Sequence, residues 1–393
     1  MNRRQFLSST AIAGAALGAR GVEPPTQFRV AVIGHTGRGN YGHGIDTMWL
    51  QLPETRIVAV ADPDAKGLES ALQRLKADRG FADYHAMLAA TNPDLVAIGP
   101  RYVDQHRDML LAAIESGARG IYIEKPFCRT PAEADEIVAA ADRRGVRVAV
   151  AHRNRYHPVV PVLERLAAAD RIGRVLEIRM RGKEDRRGGL LDLWVLGSHL
   201  LNLATLFAGR PIACSAVVLQ DGRPVTRADV REGDEGFGPL AGNEVHARFE
   251  MEHGVPVFFD SVKNAGNVPT AFGLQLIGTK GIMDFRTDKE PPAHLRAGNP
   301  FNPVPDPRAW VTISSGGVGK PEPIAGVGVL TKSHVLAGRD LIAAVRQGRE
   351  PLCSARDGAT TVEMISAVFE SHRMGGRRVT LPLATRQNPF ARF

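Results

Sequence analysis

The sequence predicts an α/β protein that opens on a Rossmann domain, and three observations predict it. A β-branched run, Phe28 to Ile33, leads straight into the glycine-rich turn Gly34-His35-Thr36-Gly37-Arg38-Gly39. A second run, Arg56 to Ala61, ends on Asp62, 23 residues beyond Gly39. Strand-like and helix-like segments then alternate as far as Val150. Short apolar β-branched runs read as buried parallel strands, and their alternation with helices indicates a parallel sheet covered on both faces.

The chain begins Asn2-Arg3-Arg4-Gln5-Phe6-Leu7, followed by an apolar run from Ala11 to Ala19 that closes on small residues. Paired arginines before a short apolar stretch have the form of a twin-arginine export signal, assigned here to residues 1–22. The run is too short to cross a bilayer, which takes about 20 residues. No other segment is expected to anchor the chain in a membrane. The expected destination is the periplasm, reached through the twin-arginine machinery. Without Arg3, Arg4 and Arg20 the net charge falls from +8 to +5. That excess is scattered along the chain, so no nucleic-acid partner is expected.

In the glycine turn, Gly34 and Gly39 fit the first and third positions of G-x-G-x-x-G, while Thr36 holds the middle one. Such a turn lets the backbone approach a pyrophosphate, which the N-terminus of a following helix stabilises. Gly34, Thr36, Gly37, Arg38 and Gly39 are therefore cofactor-binding candidates. Asp62 is placed to accept hydrogen bonds from an adenosine ribose and to repel a 2′-phosphate, which favours NAD over NADP. Its other reading is a helix cap before Pro63.

Residues 66–78, 104–116 and 131–144 have helical patterns, the last opened by Thr130-Pro131 as a cap and first-turn pair. Leu95 to Ile98, Ile121 to Ile123 and Val146 to Val150 read as strands. Ligands in such sheets bind beyond the carboxyl ends of the strands. Pro100-Arg101, Glu124-Lys125-Pro126 and His152 to Arg155 thus gather around one crevice.

Further strands are expected at 175–180, 213–219, 243–250, 255–262 and 272–277, and helices at 331–347 and 356–374. Residues 221–242 and 286–308 read as loops. The domain boundaries are 26–152 for the Rossmann unit and 153–383 for a second domain, with a tail at 384–393. Hydrophobic residues at 44% and charged residues at 23% suit an ordinary globular enzyme. Cys128, Cys214 and Cys353 are far apart and form no zinc-ligand spacing, so no metal is expected.

Glu124-Lys125-Pro126 after a strand, in a chain that starts on a glycine-turn Rossmann unit, resembles the glucose–fructose oxidoreductase/inositol dehydrogenase (Gfo/Idh/MocA) family. The likeness continues at Asp94 to Pro100 with His106, at Ala151 to Tyr156 with Pro158, and at Gly197-Ser198-His199-Leu200-Leu201-Asn202. It closes at Ile277 to Gly281 and at Gly376 to Val379 with Leu381-Pro382. The resemblance implies a C-terminal α/β domain whose open, mostly antiparallel sheet faces the substrate and often mediates oligomerisation. It adds Pro100, His106, Glu124 and Lys125 to the cofactor-binding candidates.

The resemblance also puts Lys125 and His199 at the catalytic centre. Lys125 would hydrogen-bond a substrate hydroxyl and the nicotinamide ribose, and His199 would take the hydroxyl proton. One departure stands out. Many relatives carry an aspartate four residues before this histidine, where this chain has Val195, and an acid where it has Asn202. Asp192, seven residues before His199, is about two helical turns away on roughly the same face, which makes it the third catalytic candidate. Arg155, Lys183, Asp185, Arg186 and Asn202 are substrate candidates, with Asn264 and His334 behind them.

The expected function is an NAD(P)-dependent oxidoreductase acting on a sugar or polyol with a tightly held cofactor, since free NAD is scarce outside the cytoplasm. A homo-oligomer is expected. Two other readings stand beside it. One is NAD-assisted glycoside cleavage by transient oxidation and elimination. The other is a ligand-binding member without turnover.

Overall fold

The computed structural model describes residues 27–266, 272–302 and 308–393. The expected signal at 1–22 lies outside the described residues. The first sheet has six strands: β1 (Phe28–Ile33), β2 (Thr55–Ala61), β3 (Arg79–Phe81), β4 (Leu95–Ile98), β5 (Gly120–Ile123) and β6 (Arg147–Val150). Their order is β3-β2-β1-β4-β5-β6 with every pair parallel. β4 and β5 are buried at every residue, as expected of strands covered on both faces. Strand order reverses between β1 and β4, which is where such sheets bind ligands.

The crossover helices are α1 (Ala65–Leu75), α2 (Tyr84–Thr91), α3 (His106–Glu115) and α4 (Pro131–Arg144). Thr130 caps α4 by accepting from the Glu133 amide. Sequence reasoning passed over β3 and α2. β3 is three residues long and lacks a buried residue, and α2 (YHAMLAAT) is too short and too uniformly apolar to show a stripe.

One expectation is corrected at the glycine turn. No helix starts there: residues 35–46 run as turns and end in a five-residue 3-10 segment, Thr47–Gln51. Asn40 and the glycines at 37, 39, 42 and 44 all take positive φ, which an α-helix does not admit. The helix N-terminus invoked for the pyrophosphate is therefore missing at this position.

The second sheet has eleven strands. From one edge it runs Gly317–Val318, Val311–Ser314, Ala293–Ala297, Gly281–Arg286, Gly273–Gly278 and Val175–Arg181. It continues through Val257–Val262, Glu244–Met251, Pro211–Gln220 and Val379–Thr380, with Arg223–Pro224 also paired to Pro211–Gln220. Only Val175–Arg181 and Val257–Val262 pair in parallel; the other pairs are antiparallel. In Glu244–Met251 buried and more exposed residues alternate, the mark of a sheet with one face packed.

The remaining helices are α5 (Val160–Ala168), α6 (Gly189–Asp192), α7 (Ser198–Ala208), α8 (Val327–Lys332), α9 (Val335–Gln347) and α10 (Ala355–Arg373). α10 packs on Pro211–Gln220, α4 and α7, while α9 packs on β5 and β6. The two domains are thus tied together through the C-terminal helices. Residues 384–393, read as a tail, end in a turn whose Phe390 is buried and stacked on Phe369 at 4.9 Å.

One stretch is long and apolar enough to bear on the expectation that no further segment anchors the chain in a membrane. Gly189–Ala208 is a continuous 20-residue helical stretch, long and apolar enough in composition to cross a membrane. Most of it is buried inside the protein, where Leu193, Leu200 and Leu201 are fully covered, so its apolarity is that of a core helix. All three cysteines are free and buried.

Candidate active site

Lys125 leaves the end of β5 and is buried, with only 8% of its surface exposed. Its Nζ donates to the carbonyl of Val195 at 2.9 Å and lies 3.9 Å from Glu124 Oε1. The acceptor exists for a local reason. Between α6 and α7 the helix widens into a π turn, Leu193–Gly197, which disturbs the regular backbone ladder. At Val195, where the resemblance implies an aspartate, Lys125 meets the main-chain oxygen instead.

His199 follows one turn later on α7. Its ring meets His152 edge-on at 5.2 Å, and its Nδ1 has no protein partner. Lys125 and His199 line one cavity of about 280 Å³ together with His43, Glu124, Arg153, Lys183, Arg187, Asp288 and His334. His334 donates or accepts through Nδ1 with the Tyr122 hydroxyl at 2.7 Å, leaving Nε2 unpartnered. Among the described residues, no group of three or more His, Cys, Asp or Glu side chains is placed to share a metal ion.

Burial sets the charge states. It lowers the Lys125 ammonium below its usual value, opposed by the neighbouring Glu124 carboxylate. Burial alone would raise Glu124, but the His43 hydrogen bond and the Lys125 charge pull it down to about 2. Burial, then the Lys125 charge, holds His199 well below its ordinary value and His152 at about 3. Burial likewise brings His334 to about 4. These imidazoles are neutral near pH 7, available to accept a proton or a hydrogen bond.

The expected third catalytic residue sits elsewhere. Asp192 Oδ2 accepts from the Glu184 amide at 3.0 Å and from Ser261 Oγ at 2.6 Å, fully buried beneath the loop before α6 and outside the cavity lining. Burial raises its carboxyl above the usual range. The π turn explains the displacement. It inserts one residue, so Asp192 is rotated by about 100° from the face that an unbroken helix would give it.

Of the expected substrate residues, Lys183 lines the cavity and holds Asp288 at 3.1 Å. Arg155 is taken up structurally by Leu352 O, Asn202 O and Asp357. Asn202 is buried behind it, with its Oδ1 toward Arg155 and Cys353. Asp185 forms a two-pronged ion pair with Arg187. Arg186 and Asn264 are exposed and lie outside the lining. His43, Arg153, Arg187 and Asp288 are cavity residues that sequence reasoning did not single out. Arg153 sits two residues from Arg155 in the same conspicuous segment. Asp288 follows Gly281–Arg286 and carried no motif.

The adenosine end is arranged differently. Asp62 is fully buried and accepts from the Thr36 amide and hydroxyl, the Asp64 amide and the Tyr41 hydroxyl. The helix cap in this stretch is Asp64, through the Gly67 amide, not Asp62. The Tyr41 ring rests on Gly34 so closely that a Cβ there would lie 2.1 Å from it. Arg74 stacks over the outer face of that ring at 4.8 Å. Gly39, with φ of +89°, approaches the Arg101 backbone in a way that no side chain would permit. Arg38 pairs with Asp104 at 2.6 Å. His106 is buried between the carbonyls of Pro100 (2.7 Å) and Pro126 (2.8 Å), where it ties the ends of β4 and β5 together.

The donor chemistry fits a nicotinamide dinucleotide: a glycine turn at the switch point, an acid at the tip of β2, and a buried lysine across the crevice. The Tyr41 ring packs directly on Gly34, which only a residue without a side chain allows.

Two family models match the chain. The NAD-binding Rossmann domain of an oxidoreductase family spans residues 28–152, and that family's C-terminal alpha/beta domain spans 147–381. D-apiose dehydrogenase of Paraburkholderia graminis is 25% identical over 363 residues, covering 89% of this chain and 88% of the relative. Levoglucosan dehydrogenase, solved with NADH and levoglucosan, superposes with a TM-score of 0.73 at 19% identity, over 91% of this chain and all of that one. Aldose-aldose oxidoreductase of Caulobacter crescentus, solved with glycerol, gives a TM-score of 0.67 at 19% identity, over 90% of this chain and all of that one. Matched in order across both domains, the chain belongs to the Gfo/Idh/MocA family and is an NAD(P)-dependent oxidoreductase with an NAD-binding Rossmann domain, NAD being its cofactor.

Proposed function

We propose that this enzyme oxidises a hydroxyl of a small sugar or polyol to a carbonyl. The observation that carries the reading is the pairing of Lys125 and His199 in one small cavity at the carboxyl end of β5. NAD supplies the hydride acceptor for the carbinol carbon. Lys125, anchored by the Val195 carbonyl, donates a hydrogen bond to the substrate oxygen and stabilises its developing negative charge. His199, neutral and with Nδ1 unpartnered, takes the hydroxyl proton at that atom. Gly34, Thr36, Gly39 and Asp62 would hold the dinucleotide.

Sugar-acting relatives support the substrate class. Incubating purified enzyme with NAD and a panel of aldoses, polyols and sugar acids, and following NADH absorbance, tests it. Turnover with at least one of them is expected. Release of phenol from aryl glycosides with no net NADH would instead establish glycoside cleavage.

The Arg3-Arg4 start supports export, and export favours a cofactor that stays bound. Mass analysis of nucleotide released by denaturing periplasmic enzyme should find NAD at near one per chain. An enzyme that leaves the cell fraction empty of nucleotide contradicts tight retention. The open sheet face supports a homo-oligomer, which light scattering of the purified chain would reveal.

A further inference from the structure

The charges of the cavity point to a narrower class of substrate. Four permanent cations line it: Lys125, Arg153, Lys183 and Arg187. Glu124 faces Lys125 and His43, and Asp185 is committed to Arg187. That leaves Asp288 to serve both remaining cations, at 3.1 Å from Lys183 Nζ and at a looser 3.7 Å from Arg153. The neutral histidines add no charge. Asp288 is thus divided between two cations, and Arg153 has the weaker hold on it.

Arg153 is therefore the cation with most to gain from an anionic ligand. Among the described residues its guanidinium has no hydrogen-bond partner, and Asp288 lies beyond hydrogen-bonding distance. It is three-quarters covered nonetheless, with 25% of its side chain exposed. A guanidinium presents a planar fork of donors that matches a carboxylate on two prongs. A neutral sugar would leave that fork unpaired in a partly desolvated site, at a cost. The volume of about 280 Å³ is at the small end of ligand pockets, sized for a single sugar unit.

We propose that the substrate is a monosaccharide carboxylate, an aldonic or uronic acid, whose carboxylate is seated on Arg153 with help from Lys183. The carbinol to be oxidised then reaches Lys125 and His199 on the opposite side of the cavity. This rests on the oxidoreductase reading above and leaves its redox step unchanged: two electrons and a proton leave the carbinol carbon as hydride, and the hydroxyl proton goes to His199.

Calorimetric titration without turnover tests the assignment, comparing galacturonate and gluconate with galactose and glucitol. The best acid should bind about tenfold or more tightly than its neutral counterpart, the gain expected of a charge-assisted pair. Arg153→Gln should remove that preference, and Arg153→Lys should restore part of it. A circular dichroism spectrum matching that of the wild type confirms that each variant is folded. Equal or tighter binding of the neutral sugars overturns the proposal, as does an acid preference that survives Arg153→Gln. NADH formation with neutral sugars alone would keep the oxidoreductase reading and sink this one. Acid binding lost in Arg153→Gln, with no NADH from any substrate, would uphold Arg153 and sink the oxidoreductase reading.

Discussion

The two ends of the crevice are built on the same sheet and treat their buried acid and base groups differently. At the tip of β2, Asp62 is fully occupied by donors of the protein, one of them the hydroxyl of Tyr41, whose ring packs on Gly34. At the end of β5, His199 Nδ1, His334 Nε2, Glu124 Oε2 and both nitrogens of His152 are buried without a protein partner. Each such atom costs about 1–3 kcal/mol in a folded protein, so a cluster of them marks a place where stability is given up. At the nucleotide end Asp62 is the satisfied group, while Arg38 Nε and Asp104 Oδ1 beside the glycine turn are buried without a partner.

The largest effect should come from the end of β5. Lys125→Met is expected to lower kcat/KM by about a thousandfold, since it removes both the donor and the charge at the developing oxyanion. A loss of less than about tenfold would contradict its role. His199→Asn should lower kcat by about a hundredfold with little change in KM, the signature of a group needed for proton transfer rather than binding. If KM carries the loss instead, His199 is a binding residue.

A smaller effect is expected at the tip of β2. Tyr41→Phe removes the hydroxyl bond to Asp62 and should cost about 1 kcal/mol of stability, read by thermal denaturation. An unchanged Tm would mean that this bond contributes nothing to the fold.

The smallest effect is on stability against acid. His152 and His334 are held at about 3 and about 4, against an ordinary histidine value near 6.5. Below about pH 6.5 the unfolded chain takes up protons that the folded chain refuses, so stability falls as pH drops toward the folded values. The slope is about 1.4 kcal/mol per pH unit for each of these buried groups. Calorimetry between pH 7 and pH 5, done on wild type and on His152→Gln, should show a shallower fall in the variant. An unchanged fall would mean that His152 does not resist protonation.

The sheet was legible because β1, β2, β4 and β5 are nearly continuous apolar runs, and Lys125 and His199 were legible because each sits in a recognisable motif. What escaped was whatever depended on local departures from regular geometry. Asp192 was placed on the catalytic face by counting ideal helical turns, and a π turn at Leu193–Gly197 rotated it away. Arg155 was preferred to Arg153 because nothing in the sequence says which way each side of the 3-10 turn Arg153–Tyr156 points. Tyr41 acquires its position from a loop of positive-φ residues that folds back on β1 and β4. No short-range pattern announces such a contact.

One measurement reaches the core of this account: transfer of deuterium from a sugar acid labelled at its carbinol carbon to NAD. The wild-type enzyme should deliver the label to the nicotinamide ring, and Lys125→Met, with its fold intact, should deliver almost none. Label transfer at the same rate in both proteins, or in neither across the whole sugar panel, would mean that the cavity between Lys125 and His199 is not where this protein works.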